Sequence, residues 1–415
     1  MRRGSNLPAV GTYNQSLVLD LIRRAPDGLS RVELAARTGL SAQTLSNVTR
    51  RLSDEGLIGE AGKVIAGPGK PRTLLALNAG SRFAVGVHLD PAVDTLVVID
   101  LSGAVIAQAE HPPRLQGSGR ELVGSIAASV SALIDRAGVS RERVLGIGVA
   151  APGPLDAERG RLLNPPLLTP WHGVEVRDEL QAASGLAIAL EKDVTAAIVG
   201  EMWFDHEDDL VDATFLYYGA GIGAGLSVAG APVRGRTGNA GNIAHLIVDP
   251  TGPPCSCGLR GCLGPSVDPR RLLADAGLAG PSTGPLGGED GPPAPDTRRE
   301  LDRLCRRAAR GEPRAVAVMD RTARHLARAV VEVNNLLDSN AVVIGGPVWA
   351  RLSPVLSELF GDRLASGAAA GATTSTRPIA VRPSRLGVDI AAVGAACLVL
   401  DQAFVARPAD LLITT

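Results

Sequence analysis

Three cysteines and a histidine fall within a short stretch of this chain: His245, Cys255, Cys257 and Cys262. Three soft thiolates and one imidazole make the closed tetrahedral set that Zn2+ takes in structural sites. Gly258 and Gly261 allow the backbone to fold round an ion. Four protein ligands leave no open position for an activated water, so the expected role is structural. Three unrelated core cysteines are the competing explanation. The five cysteines are an odd number, which fits metal binding in a reducing compartment better than a disulfide framework. Cys305 and Cys397 sit in apolar helical stretches and read as ordinary core residues.

A second group of residues could read a nucleic acid. Ser41 is placed to cap a helix running through Thr44, Leu45, Val48 and Leu52 to Gly56. Its apolar stripe would pack inward, leaving Gln43, Thr44, Ser46, Asn47, Arg50 and Arg51 outward. These types hydrogen-bond base edges or phosphates in a major groove. Ahead of it, residues 13–25 have helical apolar spacing. Ser30 and Glu33 form a capping-box pattern before a short helix that ends at Gly39. Behind it, Leu57-Ile58 and Val64-Ile65 read as short strands. Lys63 lies between them, and a Gly/Pro-rich tip that carries Lys70 and Arg72 follows. Helix, short helix, turn, helix and basic hairpin is the winged helix-turn-helix order. A three-helix packing module without DNA is the bland alternative.

Charge agrees with that partition. Residues 1–78 carry 11 basic residues against 6 acidic ones, whereas the whole chain has a net charge of −1. A basic head on an acidic body implies a polyanion partner for the head. At 415 residues and 45% hydrophobic content the chain can bury several cores, and with aromatics at 3% these must be built from Ala, Val, Leu and Gly. No apolar run approaches the ~20 residues of a membrane span. No secretory apolar segment follows Met1-Arg2-Arg3. A cytoplasmic protein without a membrane partner is expected.

From about residue 80 strands alternate with helices, the pattern of an α/β fold. Phe83–Leu89 and Leu96–Leu101 look like a hairpin and 120–137 an amphipathic helix. Val144–Ala150, Ile188–Glu191, Thr214–Tyr218, Ala224–Val228 and Ala341–Ile344 read as strands, and Thr195–Trp203 as a helix. Residues 276–298 are rich in Pro and Gly and read as a mobile insertion, with a second loose loop at 366–376.

Several segments together resemble the ROK family (repressors, open reading frames, kinases). They are Gly238-Asn-Ala-Gly-Asn-Ile-Ala-His245 followed by Cys255-Ser-Cys-Gly-Leu-Arg-Gly-Cys262-Leu263, and Tyr218-Gly-Ala-Gly-Ile-Gly-Ala-Gly225. Ala151-Pro-Gly-Pro154, Leu163-Asn-Pro-Pro166 and Glu191-Lys-Asp-Val-Thr-Ala-Ala197 support them. The resemblance spans roughly residues 10–400. It implies a two-lobed actin-like ATPase fold, a sugar between the lobes, and zinc on His245, Cys255, Cys257 and Cys262. Expected divisions are a winged helix-turn-helix at 1–78, lobes at 79–190 and 191–400, and a tail at 401–415.

The departures from the family pattern weigh against catalysis. The phosphate-cradling Asp-x-Gly-Gly-Thr turn of the family's kinases corresponds to His88-Leu89-Asp90-Pro91-Ala92. Here Pro91 lacks an N–H and Asp90 would repel phosphate. The catalytic-base position is kept as Asp193, which is equally readable as a buried structural carboxylate. Its usual Asn neighbour is Lys192, and two expected sugar-binding Glu positions hold Asn242 and Gly264. Asn164, Asp193, Asn242 and His245 remain as candidate ligand contacts, and Trp171 is expected to flank the cleft. The expectation is a sequence-specific transcriptional regulator of carbohydrate-related genes, in the repressor mould and not an enzyme. It would bind a double-stranded operator as a homodimer or homotetramer, respond to a sugar or sugar derivative, and sit on the nucleoid when bound. A sugar kinase with a DNA-binding head, and a regulator without any ligand, are the alternatives.

Overall fold

A computed structural model describes residues 7–64, 71–165, 168–278, 295–369 and 379–405. Both expected loops fall largely on 279–294 and 370–378, outside the described residues, as does Lys70. What is described of their margins is helical, at Pro295–Ala309 and up to Ala369.

The head contains α1 (Leu7–Arg23), β1 (Leu29–Ser30), α2 (Arg31–Thr38), α3 (Ala42–Asp54), β2 (Ile58–Val64) and β3 (Arg72–Leu77). Local chemistry accounts for its boundaries. Ser30 Oγ accepts from the Glu33 N–H at 3.3 Å while the Glu33 carboxylate accepts from the Ser30 N–H at 2.8 Å. This satisfies two of the N–H groups that every helix start leaves open. Gly39 closes α2 in the left-handed region, with φ 68°. Leu45, Val48 and Leu52 of α3 are buried against Val18 and Ile22 of α1. In place of two short strands around 57–65, β2 is continuous and pairs antiparallel with β3 through a bulge between Glu60 and Gly62. Ile58 alone is buried along β2. An exposed hairpin held by backbone pairing carries no apolar alternation from which to read it.

The first sheet of the body has the order β10-β7-β4-β5-β6. Its strands are β4 (Phe83–His88), β5 (Asp94–Asp100), β6 (Val105–His111), β7 (Val144–Ala151) and β10 (Ile188–Lys192), with a short pair β8 (Leu155–Asp156) and β9 (Arg161–Leu162) beside it. The expected hairpin is β4–β5, antiparallel, and β7 and β10 join in parallel. Helices α4 (Gly119–Ala137) and α5 (Val176–Ser184) pack on one face, and Leu122, Val123, Ile126, Val130 and Leu133 fill that core. Trp171 belongs to this same core. It is 1% exposed and its indole N–H donates to the Arg114 carbonyl at 3.0 Å. The expected cleft-flanking role of Trp171 is therefore corrected: its ring is used up in packing.

Next come α6 (Asp193–Trp203) and the second sheet, order β13-β12-β11-β14-β15. Its strands are β11 (Ala213–Tyr218), β12 (Ile222–Val228), β13 (Ala231–Pro232), β14 (Ala341–Gly345) and β15 (Ala380–Pro383). Around it lie α7 (Leu263–Ser266), α8 (Pro269–Asp275), α9 (Pro295–Ala309), α10 (Pro313–Leu337) and α11 (Pro347–Ala369).

The last helix, α12 (Ile390–Phe404), is expected from the sequence in the second lobe, yet it packs on β4, β5 and β7 of the first sheet and on α6. Its seat requires glycine. A Cβ on Gly148 would stand 1.7 Å from the Ala395 carbonyl oxygen, and one on Gly394 would stand 2.0 Å from that of Ala196. Backbones can meet this closely where a side chain is missing on one partner. The stretch Gly387–Phe404 is also the one segment among the described residues long and apolar enough to cross a membrane, a correction to the sequence expectation. Most of it is buried between the first sheet and α6, which explains an apolar helix with no polar face.

Candidate functional sites on the head and in the cleft

The exposed surface of α3 has a clear stripe. At 100° per residue, Gln43, Ser46, Asn47 and Arg50 lie within one face. Gln43, Ser46 and Arg50 are exposed and Asn47 is half-buried. The Asn47 side-chain oxygen accepts from Gln43 at 3.4 Å and from Arg50 at 3.2 Å, pre-arranging the three. Arg51 stands on the flank of this stripe, beside Gly11 of α1. Thr44 is drawn into the helix cap: its hydroxyl lies 2.9 Å from that of Ser41 and its N–H donates to Ser41 Oγ. Arg72 is exposed at the start of β3.

The metal-ligand candidates come together as expected. The donor atoms of His245, Cys255, Cys257 and Cys262 all lie within 4.8 Å of one another. Cys255 Sγ is 3.4 Å from His245 Nδ1, and Cys257 Sγ is 3.6 Å from Cys262 Sγ. A tetrahedron built on Zn–S bonds of ~2.3 Å has edges of roughly 3.8 Å, so these spacings fit an ion at the centre. Turns hold the donors there. Cys255 N donates to the Leu259 carbonyl at 2.8 Å, and Gly261 sits with φ +71° so close to Asp249 that no Cβ would fit. A hydrogen bond from the Leu259 backbone lowers the Cys257 thiol from its ordinary range, whereas burial raises that of Cys262 to about 12.

Between the lobes lies a cavity of ≈450 Å3. Four elements converge on it: the loop after β4 with Asp90 and Pro91, the loop after β7 with Pro152 to Pro154, the start of α6 with Lys192 and Asp193, and the glycine turn Gly219–Gly221 between β11 and β12. Asn242, His245, Cys255, Asp268 and Arg270 complete the wall, so the metal-ligand cluster borders the cavity. Asn239 ties the lobes together here, accepting from Leu155 N at 2.8 Å and donating to Leu155 O at 2.7 Å. Of the residues expected to contact a ligand, Asp193, Asn242 and His245 line this space; Asn164 is exposed and lies outside the lining.

The acids of the cavity behave differently from one another. Burial raises the Asp193 pKa, opposed by the nearby His88 and Lys192, and its Oδ1 accepts the Val194 N–H at 2.8 Å. Asp90 Oδ1 accepts the Ala92 N–H at 2.7 Å. The backbone of residues 90–92 thus offers no free N–H from its last position, and Pro91 has none to give. Lys192, Asp268 and Arg270 were not singled out as ligand contacts from the sequence. The Asp268-Pro269 helix-start signal could have found the second: Asp268 caps α8, accepting from Arg270 N at 2.7 Å.

A winged-helix head followed by a two-lobed sugar-kinase-like α/β body defines the class of protein. Residues 94–402 match the ROK family and residues 12–62 match the MarR family. The chain belongs to the ROK family. The DNA-binding transcriptional dual regulator NagC of Escherichia coli (strain K12) is 26% identical over 347 residues, 83% of this chain and 82% of that protein. A glucokinase of Thermotoga maritima is 27% identical over 267 residues, 64% of this chain and 81% of that one. The crystal structure of a ROK family transcriptional regulator, a homologue of the E. coli MLC protein, superposes with a TM-score of 0.72. It is 22% identical and the match covers 95% of this chain and 98% of that chain.

Proposed function

We propose that the protein is a sequence-specific DNA-binding transcriptional regulator, a repressor of carbohydrate-related genes whose operator affinity is set by a sugar or related metabolite bound between the lobes. One observation carries this reading: a MarR-type winged helix with an exposed polar recognition stripe is built onto a sugar-kinase-like cleft. Gln43, Ser46, Asn47 and Arg50 contact base edges, with Arg51, Lys70 and Arg72 on phosphate and Thr44 holding the start of the recognition helix. A homodimer or homotetramer sets two such helices on half-sites a turn of DNA apart. The effector shifts the DNA-binding equilibrium by as much as its affinity differs between the two arrangements of the lobes. Asp193, Asn242 and His245 contact it. The protein works in the cytoplasm, on the nucleoid when bound to its operator.

His245, Cys255, Cys257 and Cys262 hold a zinc ion in this reading. The ion supplies cross-linking of the loop 245–262, which forms one wall of the cleft. With Nδ1 turned to the thiols, the His245 ring keeps Nε2 for the ligand.

The glucokinase relative of Thermotoga maritima keeps a second reading in view, phosphotransfer from ATP to a sugar. Asp193, at the position of the family's catalytic base, lines the cavity and favours this reading. Against it, Pro91 and the self-bonded Asp90 turn replace a phosphate cradle with a carboxylate on the cavity wall. Genome-wide mapping of bound DNA, paired with an ADP-release assay over a sugar panel, separates the two. Discrete bound promoters without ADP release are expected. Turnover at an ordinary enzymatic rate with no preferred DNA site would overturn the regulator reading.

A further inference from the structure

We infer that the ligand of the cleft is an anionic sugar, a hexuronate or an aldonate, whose carboxylate lies against Lys192. The inference rests on the effector-site reading above and sharpens it.

Lys192 ends β10 and caps α6, and it is 8% exposed. Its side chain lines the cavity. The ammonium donates to the Ala240 carbonyl at 3.1 Å, and among the described residues it joins no ion pair. An ammonium has three N–H donors, so two remain for whatever enters the cleft. Burial lowers the Lys192 pKa, with neighbouring Asp193 acting in the other direction. Asp193 is near enough to be felt but makes no ion-pair contact, so a buried ammonium in this setting gains from an arriving anion that can touch it. The N-terminal end of α6, an eleven-residue helix, opens at the same wall and adds positive potential.

The other charges of the wall choose among anions. Arg270 is matched by Asp268 at 3.4 Å, leaving Lys192, among the described residues, as the cation of the wall without a paired acid. Asp90 and Asp193 face the same space. A phosphate dianion would set two charges against one ammonium with two acids nearby. A carboxylate brings a single charge. Asp193, pushed toward its neutral form by burial, can donate to or accept from a ring hydroxyl. The polar groups that remain, Asn242 and His245, suit hydroxyls.

The test is isothermal titration of the purified full-length protein with D-galacturonate, D-glucuronate and D-gluconate. D-galactose, D-glucose and D-glucose 6-phosphate are the comparison arms. At least one sugar acid should bind ten-fold or more tightly than its neutral parent and than the sugar phosphate. Lys192→Met should erase that margin and Lys192→Arg should retain part of it, with circular dichroism confirming that both variants fold. The inference is overturned if a neutral sugar or the phosphate binds best, if the margin survives in Lys192→Met, or if no acid binds. Operator binding followed in the same samples keeps the two claims apart. A neutral sugar that releases DNA would leave the regulator reading standing and remove this one.

Discussion

Asp193 and Lys192 are neighbours in sequence, and both sit at the mouth of α6 where burial disfavours their charged forms. A carboxylate with a raised pKa costs stability as the pH rises above the ordinary Asp value, because the unfolded chain ionises more easily, and the cost is complete once the pH passes the raised value. Below the ordinary Asp value of about 4 both states are protonated and the cost vanishes. Asp193→Asn should therefore stabilise the ligand-free protein by about 1–2 kcal/mol at neutral pH. The gain should fade as the pH drops toward 4, and thermal melts across that range measure it. A variant less stable than wild type at pH 7 would show that Asp193 is structural, one of the two roles open from the sequence. The cysteine cluster makes a separate prediction. Metal analysis should find about one zinc per chain, and a strong chelator should lower the melting temperature; a metal-free protein with an unchanged melt would remove the ion. This cluster was legible because its signal is spacing along the chain. The buried ammonium was not, since a lysine in a sequence gives no sign that the fold will close over it.

At the scale of elements, legibility followed locality. The Ser30 capping box, the Gly39 stop and the Ser41 cap concern residues three or four apart, and each is found as expected. Strand β6 has no buried residue on its exposed-to-half-buried pattern, so nothing in its composition marks it as the edge of a sheet. Helix α12 is harder still. Its run Ile390 to Leu400 is buried all round, with no polar face to set a period. What seats it lies far away in the chain, at Gly86 and Gly148, which leave room for the Ala392 and Ala395 carbonyls. Gly148→Ala should cost about 3 kcal/mol or more, the upper range for overpacking, because a backbone carbonyl cannot turn aside as a side chain can. Urea denaturation measures this; a loss under ~1 kcal/mol would mean that α12 is not seated as described. Helix α10 was not read from the sequence either, although its buried Ala315, Val318, Thr322, Leu326, Ala329 and Val333 recur at helical spacing.

On the scale of the whole molecule, the head is joined to the body by more than a linker. One continuous core runs from Val18, Ile22 and Leu52 in the head to Ala196 and Ile198 of α6 and Ala392 of α12. Arg23, at the end of α1, is the polar pin of this joint. Its side chain is 5% exposed, pairs with Asp20 at 2.6 Å, stacks 4.0 Å over the Trp203 ring and donates to the Trp203 carbonyl. Trp203 ends α6, whose other end lines the cavity, so one helix touches both the cleft and the head. A charge-assisted bond with a cation–π contact is worth about 1–3 kcal/mol in such a setting. Arg23→Ala should lower stability by that amount and weaken the response of DNA binding to effector while leaving α3 intact. Unchanged effector response would mean that coupling runs elsewhere. The Arg24–Asp208 pair nearby, with Asp208 largely exposed, should contribute little. None of this joint was foreseen from the sequence, since its partners are separated by about 180 residues.

The central claim, a sequence-reading head governed by a cleft that no longer serves ATP, is tested most directly by titrating the full-length protein against a promoter fragment recovered from genome-wide mapping, at several salt concentrations, with a scrambled duplex as competitor. The account predicts binding at least ~10^3-fold tighter to the promoter than to the scrambled DNA, and a salt slope that flattens by about one charge in Arg51→Ala. Equal affinity for both duplexes, or an Arg51→Ala variant that binds with the wild-type slope, would contradict it.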